Sequence, residues 1–490
     1  MGWSEVDEGA PPRVVFPRAY NAAADLIDRA IERGWGARTA YLDDRGAYTY
    51  ADLAARVERA AAAFAALGVQ PEQRVLLAML DTIDFPAAFL GAIRMGAVAV
   101  PVNTLLTAHD YAGMIADSRA RVIVASDPLR EKLPGSLPVA TIHQQATAAP
   151  IFASTPDDAA FWLYSSGSTG APKGAVHLHA HLMWTAILYG REILGVKPDD
   201  VIYSAAKLFF AYGLGNALTF TLSAGASAVL TAERPTPAVV ARIMKTHEPT
   251  IFCGVPTLFA ALLADPSFQV SPKLRVSISA GEALPAHVGR AWRERFGTDI
   301  LDGIGSTEML HIFLSNRHGD VKYGTSGKPV PGYELALRGS GDELWVRGPS
   351  ACTSYWNQRE RSLATFEGGW TRTGDRYSID DDGYYVYGGR ADDMLKVGGI
   401  WVSPFEVESA LAAHAAVLEC AVVGHADADQ LIKPKAFVVL KPGAHVSAEE
   451  LKSFVKERLA PYKYPRWIDF VGELPKTATG KIQRFKLRAS

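Results

Sequence analysis

The chain has 490 residues and a mass of 52.8 kDa, room for roughly two to four globular units and too much for one small module. Hydrophobic residues at 48% and charged residues at 21% exclude a disordered chain. Lys plus Arg number 50 against 52 Asp plus Glu, and a net charge of -2 excludes the basic footprint of a nucleic-acid binder, so any anion site must be local.

From the N-terminus, Glu5, Asp7 and Glu8 stand where a secretory signal would be apolar. The Ala-rich stretch Asp52 to Leu67 predicts a helix, Arg74 to Leu80 a strand, Phe85 to Arg94 a helix and Ala97 to Val102 an extended segment. Strand-like runs return at Arg121 to Ala125, Val201 to Ala206 and Arg275 to Ala280, and this alternation predicts an α/β body of largely parallel sheets. Leu208 to Ala232 carries no charge over 25 residues, long enough to span a bilayer. Its glycines and hydroxyl residues instead predict a buried strand, turn and helix beside a ligand, and no membrane role. Beyond about residue 320, Gly- and Asp-rich turns separate short runs such as Glu343 to Arg347 and Tyr384 to Tyr387, which predicts antiparallel hairpins added to the body. Gly, Asp and Arg crowd residues 388 to 399 and read as a hinge, dividing an N-terminal body, 1–390, from a small mobile α+β domain, 391–490. In the latter, Pro404 to Ala413 predicts a helix, strands centre on Ala421 and Ala436, and Ser447 with Glu450 signals another helix start. Cys253, Cys352 and Cys420 are too far apart to write a metal cluster or a disulfide framework, and a reducing cytoplasm fits them.

Chemistry concentrates in residues 164 to 174, Tyr-Ser-Ser-Gly-Ser-Thr-Gly-Ala-Pro-Lys-Gly. Glycines let backbone N–H groups approach an anion, hydroxyls donate further bonds and Lys173 adds a point charge, a composition suited to polyphosphate. It is not a Walker loop, because Pro172 precedes the lysine and Gly174 and Ala175 follow it. This loop resembles the signature of the adenylate-forming superfamily, which includes acyl-CoA synthetases, peptide-synthetase adenylation domains and beetle luciferases. Further matches follow in the family's order: Gly305-Ser306-Thr307-Glu308, Thr373-Gly374-Asp375, Gly389 to Asp393, and Pro475 to Lys481.

The resemblance implies that a substrate carboxylate attacks the α-phosphorus of ATP and that a thiol then displaces AMP, with ATP, Mg2+ and coenzyme A required. It assigns ATP binding to Ser165, Ser166, Gly167, Ser168, Thr169, Gly170 and Lys173, to Gly281 and Glu282, to Asp302, Gly303, Ile304, Ser306 and Thr307, and to Asp375 and Arg390. Thr169 and Glu308 would hold Mg2+, since a hard cation takes oxygen ligands. Lys481 would bridge the carboxylate and the α-phosphate, and Asp392 would be the hinge. Gly398, Gly399 and Trp401 would meet the pantetheine arm of coenzyme A. One departure stands out: the family commonly has Tyr before Gly-x-Thr-Glu, and here Ile304 replaces that adenine-stacking ring.

Residues 207 to 216 and 302 to 314 resemble segments of benzoate-CoA ligases, which places Phe210, Ala211, Tyr212, Ile304 and His311 around an aromatic acid. Phe210 occupies the position where many relatives carry a gating histidine. Tyr212 and His311 are expected to be the polar contacts at the ring edge. The leading reading is ATP-dependent ligation of benzoate or a substituted benzoate to coenzyme A. Loading of an aryl acid onto a carrier protein and a non-catalytic adenylate-binding regulator are the alternatives. The partners expected are the small molecules themselves, and the reading leaves room for a homodimer.

Overall fold

The structure, a computed structural model, describes residues 1–144, 149–165, 172–339, 342–390, 393–397, 400–427, 431–460, 462–476 and 482–488. Two large sheets build the body. The six-stranded sheet runs, by neighbour, Lys173–Leu178, Ala159–Ser165, Val98–Pro101, Arg74–Ala78, Val122–Ala125 and Leu137–Pro138. All its pairings are parallel except that between Lys173–Leu178 and Ala159–Ser165.

The Ala-rich stretch forms the helix Tyr50–Ala66, begun by a capping box in which Thr49 and Asp52 satisfy each other's backbone. Its small side chains let the helix Asp84–Arg94 approach closely: a methyl on Gly91 would lie 2.6 Å from the Ala60 Cβ. The helix Asp84–Arg94 is buried along its whole length, as expected for a crossover lying between layers.

The second sheet has nine strands, with Ile300–Gly305, Val276–Ser279, Ile251–Gly254, Val201–Ser204 and Ser227–Val229 parallel at its centre. Register sets Gly254 beside Ser279 and Ser279 beside Asp302, so the carboxyl ends of three strands open onto one crevice, the usual place for a ligand in such sheets. The uncharged stretch differs from expectation in order: it forms short helical turns over Ala211–Leu214, Gly215–Phe220 and Thr221–Ala224, and the strand Ser227–Val229 follows them. Gly225, in the left-handed region at φ 71°, makes the turn between. No helix among the described residues is long and apolar enough to cross a membrane.

The hairpin region is as expected, with Glu334–Arg338, Glu343–Arg347, Trp370–Ile379 and Tyr385–Arg390 antiparallel. The C-terminal part carries the helix Pro404–Ala412, a three-stranded sheet of Val417–Ala426, Ile432–Leu440 and Trp467–Phe470, and the helix Ala448–Lys456, whose first turn Ser447 caps at the Glu450 N–H. The Glu408 carboxylate holds this domain together: it accepts from the Val422 N–H at 2.7 Å and from two nitrogens of Arg484.

Candidate active site

The Ser- and Gly-rich segment expected to bind phosphate lies between two antiparallel strands, Ala159–Ser165 and Lys173–Leu178, and so starts and ends on rigid backbone. Ser166, Gly167, Ser168, Thr169 and Gly170 lie outside the described residues; Ser165 and Lys173 flank them. The Ser165 Oγ is buried and makes no hydrogen bond to a described residue, a donor held ready for an anion. Lys173 Nζ lies 2.9 Å from Glu308 Oε1 and 2.7 Å from the Tyr355 hydroxyl, which itself donates to Glu308 Oε1 at 2.6 Å. Burial pushes the Glu308 carboxyl up, but the Lys173 charge and the Tyr355 hydroxyl outweigh it and hold the group below the ordinary range. An ionised, half-sheltered carboxylate beside a phosphate loop is the donor chemistry Mg2+ takes, so the residues present fit that ion.

The turn carrying Glu308 is fixed from two sides. Ser306 Oγ accepts from the Met309 N–H at 3.1 Å, and His177 Nε2 lies 2.8 Å from the Thr307 carbonyl. A carbonyl only accepts, so Nε2 carries the proton. His177 is fully buried, and this drives its pKa down to about 4, so the ring is neutral when it makes that bond.

On the nucleotide side, Gly281 adopts φ 96°, and a cleft of about 250 Å3 is bordered by Ala283, Leu284, Asp302, Ser326, Tyr387 and Phe405. Asp302 is 4% exposed, its Oδ1 has no partner among the described residues, and burial drives its carboxyl well up. Such a group suits a ligand amine or ring nitrogen at its edge. Gly303 and Ile304 continue the same strand, and at Gly303 a Cβ would sit 2.8 Å from the Leu314 carbonyl. Asp375 and Arg390 are paired across strands, with Nη1 3.3 Å from Oδ1. Ile482 donates its N–H to Glu282 Oε1 at 3.3 Å, which brings the C-terminal segment onto the nucleotide loop. Lys481, Asp392, Gly398 and Gly399 lie outside the described residues; Trp401 is on the strand Ile400–Val402, opposite Lys396.

Some of the residues expected on the acyl side lie together. Tyr212 and His311 come together, ring centroids 5.7 Å apart, and Ile304 packs against the same core. Phe210 packs on Phe209 at 4.3 Å and precedes the helical turn that begins with Ala211. Two rings that the sequence reading missed complete the enclosure of His311: Tyr189 at 4.9 Å and Phe220 at 4.6 Å. Both lie in apolar helical stretches where an aromatic reads as ordinary core. Gly215 is required, since a Cβ there would come within 2.3 Å of His311 Cδ2. The expected role of the Tyr212 hydroxyl is corrected. It donates toward the carbonyls of Ile278 and Gly254, at 3.0 and 3.2 Å, so its polar end is spent on the sheet. His311 differs: it is 2% exposed, and neither ring nitrogen makes a hydrogen bond to a described residue. Tyr355 was also missed, because nothing in the run Ser354-Tyr355-Trp356 marks a polar role.

A chain built in this way belongs to the AMP-binding enzymes: residues 28–356 match the AMP-binding enzyme family and residues 406–481 its C-terminal domain. It is 57% identical to a benzoate–CoA ligase of Thauera aromatica, with 98% of each chain covered. Its fold superposes on a benzoate CoA ligase from Burkholderia xenovorans LB400 with a TM-score of 0.91 and 52% identity, covering 96% of this chain and 100% of the other. An anthranilate CoA ligase, AuaEII, in complex with anthranoyl-AMP gives a TM-score of 0.92 at 43% identity over 96% of this chain and 97% of that one.

Proposed function

We propose that this chain joins benzoate, or a benzoate with a small ring substituent, to coenzyme A in two half-reactions driven by ATP. In the first, a carboxylate oxygen bonds to the α-phosphorus and pyrophosphate leaves with the electron pair of the broken P–O bond. In the second, the thiol sulfur attacks the acyl carbon, the thiol proton is lost and AMP departs. Both steps bring anions together, so the protein's contribution is charge and position more than covalent chemistry.

In this reading Ser165 and Lys173 hold the outer phosphates together with Ser166 to Gly170. Asp375 accepts from the ribose hydroxyls, with Arg390 alongside; Asp302 meets the adenine edge below Gly281, Glu282, Gly303 and Ile304. Glu308 and Thr169 would hold Mg2+, which when bound offsets the negative charge of the departing pyrophosphate. Lys481 is the cation for the carboxylate and α-phosphate in the first half-reaction. Gly398, Gly399 and Trp401 serve the thiol in the second, after the 391–490 domain has turned about Asp392. Ser306 and Thr307 shape the turn more than they bind.

The observation that carries the choice of acid is the ring enclosure of His311 by Tyr189, Tyr212 and Phe220, with Phe210, Ala211 and Ile304 nearby. Such ring surface suits a flat aromatic acid better than a long flexible chain. The test is a competitive ligation assay with ATP, coenzyme A and an equimolar panel of benzoates and fatty acids. Benzoyl-CoA or a substituted benzoyl-CoA is expected as the dominant product; preference for octanoate or longer acids refutes the aryl assignment.

We also read the enzyme as cytoplasmic, on the ground that Cys253, Cys352 and Cys420 are all free and buried. A second copy of the chain is the protein partner this reading admits, and analytical ultracentrifugation decides it.

A further inference from the structure

Beyond the Tyr355 hydroxyl, residues 352 to 358 carry no expected site residue, yet they hold both the strand of Lys173 and the turn of Glu308. Ala175 and Tyr355 form an antiparallel bridge, with further backbone bonds from Val176 N–H to Ser354 O, Thr353 N–H to Val176 O and Trp356 N–H to Gly174 O. The Cys352 N–H donates to the Glu308 carbonyl at 2.7 Å, and Gln358 Nε2 reaches the Pro172 carbonyl at 3.1 Å. One segment therefore fixes the strand that carries Lys173 and the turn that carries Glu308.

At its centre the Tyr355 hydroxyl, on a side chain only 3% exposed, accepts from Lys173 and donates to Glu308. Its ring lies under the ammonium at 4.4 Å and against Phe366 at 5.2 Å. When Lys173 turns to a phosphate, it gives up its 2.9 Å contact with Glu308. A carboxylate whose side chain is 13% exposed would then lose its cation while still largely shielded from water. The phenol can stay, because its donor does not depend on Lys173.

We infer that Tyr355 is a positioning residue for the metal–nucleotide complex: its hydroxyl holds one oxygen of Glu308 in place, so that the other oxygen is presented to the divalent cation when Lys173 leaves. This rests on the adenylate-forming reading above and adds to it a residue outside the signature motifs.

Tyr355→Phe deletes one oxygen and keeps the ring contacts. Binding of Mn2+ with adenosine 5′-(α,β-methylene)triphosphate, followed by electron paramagnetic resonance and calorimetry, is expected to weaken roughly ten- to a hundredfold, the range for a hydrogen bond to a charged group. KM for MgATP should rise while KM for benzoate stays within about threefold of wild type, by the same attribution of the bond to Glu308. In a double-mutant cycle, Glu308→Gln with Tyr355→Phe should bind Mn2+ no more weakly than Glu308→Gln alone, since the hydroxyl acts through that carboxylate. Metal–nucleotide affinity within twofold of wild type in Tyr355→Phe, or strict additivity in the cycle, overturns the inference. Failure of the wild type itself to bind the Mn2+ complex takes down the nucleotide reading and the inference with it.

Discussion

The Tyr212 hydroxyl lies 3.0 Å from the carbonyl oxygen of Ile278, at the end of a central strand, and this bond decides what Tyr212 can do. With Gly254 O at 3.2 Å as a second acceptor, the hydroxyl anchors a helical turn to the sheet. Tyr212→Phe should therefore lower stability by about 0.5–1.5 kcal/mol, the net value of a buried hydrogen bond, and leave the order of preference among benzoates unchanged. Thermal melts and a competitive substrate panel check both halves. A large change in ranking between hydroxy- and aminobenzoates would show that the hydroxyl turns toward the ligand.

His311 is expected to do the sorting instead. Its buried ring nitrogens make no hydrogen bond to a described residue, and burial takes its pKa down to about 3, so the ring is neutral through any assay range. His311→Phe should shift relative kcat/KM between benzoate and its hydrogen-bonding derivatives by roughly ten- to a hundredfold, the worth of one buried polar contact. That selectivity should be flat between pH 6 and 9, and a step near pH 6.5 would mean that the ring is charged in the complex.

Removal of the Asp375 carboxylate should weaken ATP binding by about 1.5–3 kcal/mol per charged hydrogen bond lost. Asp375→Ala also strips Arg390 of its cross-strand partner, so Arg390→Ala serves as a control. Calorimetry with ATP measures it; wild-type affinity in Asp375→Ala removes the ribose assignment.

Lys481→Ala should cripple adenylate formation and spare thioester formation from supplied benzoyl-adenylate. The motive is Ile482, its neighbour in the chain, whose N–H is bonded to Glu282 on the nucleotide loop. The two half-reactions need different domain placements, and the first alone needs this charge at the carboxylate. Equal losses in separate pyrophosphate-exchange and thioesterification assays would contradict the division.

Acid should destabilise the fold well above the carboxylate range. Burial lowers His177, His179, His181 and His311 below their ordinary 6.5, so the unfolded chain takes up protons there that the folded one refuses. Asp81, raised to about 6, and Asp302, pushed well up by burial, act oppositely by holding protons in the folded state. His247 and His287 are lowered by burial as well, so the histidines outnumber the two carboxyls and the unfolded chain takes up the excess of protons as pH falls below 6.5. The histidine contribution is present above pH 6.5 and is lost as pH falls below it, whereas the two carboxyls take stability away as pH rises through their raised folded pKa values. Calorimetric scans from pH 8 to 5 should show a falling midpoint, and a constant one would refute this balance.

How much of this was legible in the sequence depended on whether a residue's role is local. The helix Tyr50–Ala66 and the strand Arg74–Ala78 announce themselves through periodicity and capping, which need only neighbours in the chain. That Lys173 and Glu308 would lie together was legible because glycine- and hydroxyl-rich motifs are written contiguously. Tyr355 and Tyr189 were not, because each acts on a group more than a hundred residues or a sheet away, and their local patterns are those of ordinary core. The Tyr212 hydroxyl was misread for the same reason: its acceptors are backbone carbonyls of distant strands, which no side-chain pattern reveals.

The strand Lys173–Leu178 is the last of its sheet, and a terminal strand with unpaired backbone is a template for other chains. Residues 353–356 cover it with three backbone hydrogen bonds, so the clasp on the strand of Lys173 also shields that sheet margin from pairing with another chain. Substitutions that loosen the clasp, Tyr355→Pro for instance, should be recognised first as clumping during expression and only afterwards as lost turnover. In this enzyme the catalytic loop and colloidal behaviour are guarded by the same few peptide groups.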